Sequence, residues 1–91
     1  MLDKELILNS MSGIEAEKEA QDLIAGSGRP MDKVKVHFSL LFEKGGKVHI
    51  VPCTWLDPYF GFFQVDDIEG MTRMSDMPKD FRVIGQSLED V

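Results

Sequence analysis

His37 and Cys53 are the residues whose types could support nucleophilic chemistry, an imidazole base and a thiol. They lie in two runs of alternating apolar and polar residues joined by two glycines, and the pairing that best matches packing and charge sets them face to face. A working thiolate also needs a positive or helix-terminal setting and an oxyanion pocket, and no residues suited to either stand nearby in the sequence. Cys53 is therefore expected to pack as a small apolar side chain. His49, four residues from Cys53, completes no shared metal site. Asp66, Asp67 and Glu69 form the one dense carboxylate cluster. A hard cation wants six or more oxygens from a longer loop, so the cluster reads as a solvated strand end. No catalytic set, metal or cofactor is expected.

Composition narrows the partners. Ten Lys and Arg against sixteen Asp and Glu give a net charge of -6, which opposes unassisted binding to phosphate backbones or anionic lipid. Up to Cys53 there are eight acids and seven bases, whereas from Thr54 onward there are eight acids and only Arg73, Lys79 and Arg82. Lys33, Lys35, Lys44 and Lys47 sit on the alternating runs, where lysines discourage sheet-to-sheet association. A nucleic-acid stacking platform interleaves aromatics with bases, and here they are interleaved with acids. The first residues, MLDKELIL, carry charges at positions 3, 4 and 5 and suit neither a signal peptide nor a membrane span. One cysteine excludes an internal disulfide framework and suits a reducing compartment, so a cytoplasmic protein binding neither nucleic acid nor membrane is expected.

A single domain over 1–91 has to position these residues. Ser12 and Glu15 have the spacing of a capping box, which predicts a helix over 12–26 closed by Gly26, with Ala16, Ala20, Leu23 and Ile24 as a narrow buried stripe. Residues 33–53 predict a β-hairpin, since Val34, Val36, Phe38, Leu40 and Phe42 alternate with polar residues. A three-residue loop Lys44–Gly46 would set Glu43 opposite Lys47, Phe42 opposite Val48 and Leu40 opposite Ile50. A two-residue Gly-Gly loop would oppose Phe42 with His49 and Lys44 with Lys47, which packing and charge disfavour. Further strands are predicted at 60–65 and 81–84, with a helical turn at Met71, Met74 and Met77 and a flexible tail over 86–91. Short loops favour antiparallel pairing. The fold class is α+β: an N-terminal helix on a small antiparallel, bent sheet of about four strands, either open or closing into an SH3-like half-barrel.

Five of the eight aromatics, Trp55, Tyr59, Phe60, Phe62 and Phe63, fall within nine positions. On the predicted third strand Tyr59 and Phe63 point one way and Phe60 and Phe62 the other, and one helix with a half-alanine stripe covers both faces poorly. Part of the group is expected to remain outside as an anchor for a partner. The partner-binding set is Trp55, Asp57, Tyr59, Phe60, Phe62, Asp66, Asp67 and Glu69, an aromatic patch with an acidic rim that suits a basic protein surface. The expected function is a small non-enzymatic interaction module, an inhibitor or adaptor of the kind bacteriophages also encode. The alternatives are a structural subunit that buries the same rings in a second copy as a homodimer, and a ligand-binding or enzymatic domain using His37 and Cys53.

Overall fold

The computed structural model describes residues 2–78 and 80–91. Helix α1 (Lys4–Leu8) is followed by the main helix α2 (Gly13–Ser27) and by strands β1 (Val34–Lys44), β2 (Lys47–Asp57), β3 (Phe62–Val65), β4 (Thr72–Arg73) and β5 (Arg82–Asp90). The five strands form one antiparallel sheet in the order β4-β3-β2-β1-β5. The fold is α+β, as expected, with α2 packed on an open sheet that has one strand more than the sequence suggested.

The start of α2 follows its sequence signal. The Ser12 hydroxyl accepts from the Glu15 amide, and the Glu15 carboxylate accepts from the Ser12 amide, a complete capping box. The far end runs past Gly26 and closes at Gly28, which takes the left-handed conformation at φ 71°. Ala16, Ala20 and Ile24 of the expected stripe are buried, Leu23 packs partly buried against the core, and Gly13 is buried beneath Phe81 and Met74. This stripe of small side chains lets the helix lie close to the strands while contributing little apolar area of its own.

The hairpin register differs from expectation by one residue, and much follows from it. Leu40 pairs with Val51, Phe42 with His49 and Lys44 with Lys47. Gly45 and Gly46 both have positive φ, 63° and 76°, the conformation of a two-residue turn whose twist matches that of the flanking strands. Turn geometry therefore outweighs side-chain pairing. The disfavoured pairs are also benign: Phe42 and His49 stack with centroids 5.2 Å apart, and the two lysines stand exposed at the hairpin tip.

A one-residue slip exchanges the faces of β2. Val51, Cys53 and Trp55 turn inward beside Leu40, Phe38 and Val36, while Val48 and Ile50 turn outward and stay exposed. The core is built on three rings, Phe38, Trp55 and Phe63, with centroid separations of 5.0, 5.5 and 6.1 Å, two of the pairs edge-on. Leu41, on the opposite face of β1, is fully buried as well.

Two bulges complete the sheet. Leu56 is the extra residue where Trp55 pairs with Phe63 and Asp57 with Phe62. Gly85 and Gln86 together stand opposite Phe38, between the Ile84–Ser39 and Ser87–His37 pairs. The segment read as a tail, 86–91, is the second half of β5; its last residues are held by an Arg29–Asp90 ion pair and by the Val91 amide donating to the Lys33 carbonyl. The strand predicted at 60–65 is shortened to Phe62–Val65, and the methionine stretch contributes β4 and a 3-10 turn, Met74–Asp76. No helix among the described residues is long and apolar enough to cross a membrane.

Candidate functional site

The five clustered aromatics divide. Trp55, expected as a surface anchor, is a core residue: it is 5% exposed, and its indole Nε1 donates to Gln86 Oε1 at 2.6 Å. Phe63 is fully buried. Phe62 is half-buried under the Arg73 guanidinium, which lies 5.0 Å from the ring centroid. Tyr59 and Phe60 remain outside, 53% and 70% exposed.

The corner that carries Tyr59 and Phe60 is held on three sides. Asp57 Oδ1 accepts from the Tyr59 and Phe60 amides at 3.0 and 3.3 Å, the bonding expected of aspartate at a turn. Pro58 is buried, and its carbonyl accepts from Gln21 Nε2 of α2 at 3.1 Å. The Gly61 carbonyl accepts from the Met74 amide at 2.7 Å. Gly61 itself has φ 75°, so its left-handed backbone calls for glycine, and a Cβ there would stand 2.9 Å from Glu17 Oε1, the movable end of that side chain. The result is two exposed rings on a fixed backbone.

The acidic rim is only partly where the sequence placed it. Asp57 lies within the corner and is occupied by it. Asp66, Asp67 and Glu69 follow the far end of β3, about 10 Å of strand away from Phe62 at the usual rise per residue. Asp66 accepts from the Thr54 hydroxyl at 2.9 Å, and Asp67 occupies the left-handed region at φ 66°. The carboxylate beside the corner is Glu17 of α2, which the sequence reading left out. Partial burial raises its pKa above the usual carboxylate range, and it takes no hydrogen bond or ion pair among the described residues.

Beyond Glu17 a groove of about 920 Å³ opens between α1, the first turn of α2, the Met74 turn and the hairpin end of β1. Its apolar lining includes Leu2, Ile7, Ile14, Met74, Met77 and Phe81, with Glu17 and Asp80 among its carboxylates. Ile14 is 83% exposed. The one cation lining it among the described residues, Arg82, gives its guanidinium hydrogens to Ser10 Oγ and to the Ile7 and Ser10 carbonyls, which ties α1 to β5. Periodicity hinted at the groove only through Ile14, which falls off the buried stripe of α2.

His37 and Cys53 do not meet. They lie on opposite faces of the sheet, because His37 pairs with Thr54 and Phe38 with Cys53. The Cys53 thiol is buried and donates to the Val51 carbonyl at 3.5 Å; burial first, and the nearby Asp66 charge second, push its pKa up to about 12. His37 instead joins a polar line across the open face, with Nε2 2.7 Å from Glu89 Oε2 and Nδ1 2.9 Å from Thr54 Oγ1, whose hydroxyl donates to Asp66. This line knits β5, β1, β2 and the end of β3. No group of three or more His, Cys, Asp or Glu suited to a metal ion occurs among the described residues. No protein-family description, curated protein or solved structure matches the chain.

Proposed function

We propose that this chain is a small non-enzymatic protein-binding module, an inhibitor or adaptor, that grips its partner with the Tyr59–Phe60 corner. The carrying observation is the exposure of two adjacent aromatic rings on a backbone already immobilised by Asp57, Gln21 and Met74. Rings on a rigid support add contact area with little further loss of conformational entropy, which is the usual character of an interface anchor. The net charge of -6 and the neighbouring Glu17 favour a partner with a basic surface, and the lone free cysteine is in keeping with a cytoplasmic setting. The test is affinity purification from the native source with the wild-type chain and a Tyr59→Ser/Phe60→Ser variant side by side. A protein retained by the first and lost by the second supports this reading; identical captures contradict it.

A second reading rests on Val48 and Ile50, which are exposed on the sheet face opposite α2. Two copies could join through that face. Sedimentation at micromolar concentration separates the readings, a monomer excluding self-association as the function of the face.

A further inference from the structure

The groove beside the corner has a composition that specifies its occupant. Ile14, Met74, Met77 and Phe81 supply an apolar floor whose methionines adapt to varied side chains. Glu17 stands at the edge shared with Gly61, carrying a partly desolvated carboxylate with no partner among the described residues. The only lining cation among the described residues, Arg82, is already bonded to the end of α1. An occupant that covers the floor desolvates Glu17 further, and a cation is the partner that offsets this most strongly.

We propose that this groove docks an amphipathic segment of the partner protein, one that lays apolar side chains on Ile14, Met74, Met77 and Phe81 and pairs a lysine or arginine with Glu17. The segment rests on the protein-binding reading, because Glu17 and Met74 both touch the corner at Gly61 and one partner covers groove and rings together. Anionic lipid and nucleic-acid phosphate are disfavoured by the same carboxylate and by the net charge of -6. Helical segments with apolar residues at i, i+3, i+4 and i+7 have the shape for such a groove.

The probe is a yeast-displayed library of helical segments with that apolar pattern and randomised flanking positions, selected against the purified full chain. The expected result is enrichment of Lys or Arg at one flanking position, with amide shifts on binding at Ile14, Glu17, Met77 and Phe81. The selected segments should bind Glu17→Gln at least about tenfold more weakly, the scale of one lost charge pair, while this variant melts no lower than wild type. Selection of neutral flanks, no selection at all, or equal binding to Glu17→Gln overturns the proposal. So do concentration-dependent shifts at these residues without any segment, which would mean that a second copy fills the groove. Segments that lose binding to Tyr59→Ser/Phe60→Ser but not to Glu17→Gln would remove the groove and leave the corner reading standing. Segments sensitive only to Glu17→Gln would remove the corner and leave the groove.

Discussion

Replacing Gln86 by alanine should be among the most damaging single changes to a residue that is not itself apolar. Gln86 faces the core because the bulge inserts it beside Gly85, and its amide bridges two layers: Oε1 accepts from Trp55 Nε1 at 2.6 Å, and Nε2 donates to the Ala16 carbonyl at 3.0 Å and to Glu19 Oε1 at 3.1 Å. The alanine variant leaves a buried indole N–H without an acceptor, which costs about 1–3 kcal/mol. The Ala16 carbonyl keeps its place in the helix ladder and Glu19 is part-exposed, so these lost bonds add about 1 kcal/mol at most. The total, about 1–4 kcal/mol, is a large share of the roughly 5–14 kcal/mol that a chain this size holds at typical per-residue stability. For a domain of this length each kcal/mol corresponds to a fall in Tm of about 4–8 °C. Chemical denaturation followed by circular dichroism measures it, with Trp55→Phe as the partner in a double-mutant cycle. Because phenylalanine has no donor, Gln86→Ala should cost about 1 kcal/mol less in the Trp55→Phe background. A cost under about 0.5 kcal/mol, or the same cost in both backgrounds, would refute the bridging role.

The buried Cys53 should resist thiol reagents at neutral pH in the folded state and react only on unfolding, since burial and Asp66 hold its pKa up to about 12; stoichiometric labelling of native protein would contradict this. Stability should depend on pH through acids shifted in opposite directions, Glu17 upward and Glu15 and Asp90 downward, read from melts between about pH 3 and 7. Burial raises the folded pKa of Glu17 above its unfolded value, so its stabilising effect is complete below the unfolded value and lost as pH rises through the folded one; Glu17→Gln should flatten that fall. The Arg29 hydrogen bond, more than its charge, lowers the pKa of Asp90, so that contribution is present above the unfolded value and lost as pH falls through the folded one, and Arg29→Ala should remove it. Gly61→Ala should cost about 1–2 kcal/mol from its left-handed backbone alone, with Glu17 swinging aside to admit the methyl group; an unchanged melt would mean that the corner relaxes freely.

How far the sequence could be read depended on the range of the interactions. The Ser12–Glu15 cap, the Ala16–Ala20–Ile24 stripe and the alternation along β1 are local, and each appears in the structure as its spacing implied. The hairpin register turned on a competition between Phe42–Val48 packing and the handedness of a Gly-Gly turn, and backbone geometry prevailed. That one residue decides whether Trp55 faces the core or the solvent. Beyond Ile84 the sequence of β5 resembles a tail, because Gly85 and the polar Gln86, Ser87, Glu89 and Asp90 mimic a loop; a bulged, half-exposed strand at the sheet margin has no clean alternation. The groove joins α1, α2, the Met74 turn and the end of β1, segments far apart in the chain, and no periodicity within any one of them could assemble it.

The proposed binding role requires that Tyr59 and Phe60 act outside the fold. Binding of the wild-type chain and of Tyr59→Ser/Phe60→Ser to the captured partner, with melts of both proteins, measures this directly. The expected result is a melt within about 0.5 kcal/mol of wild type, as for surface substitutions, together with binding weakened by about two orders of magnitude or more, as when interface anchors are truncated. Unchanged binding, or a variant that binds poorly only because it unfolds, would contradict it.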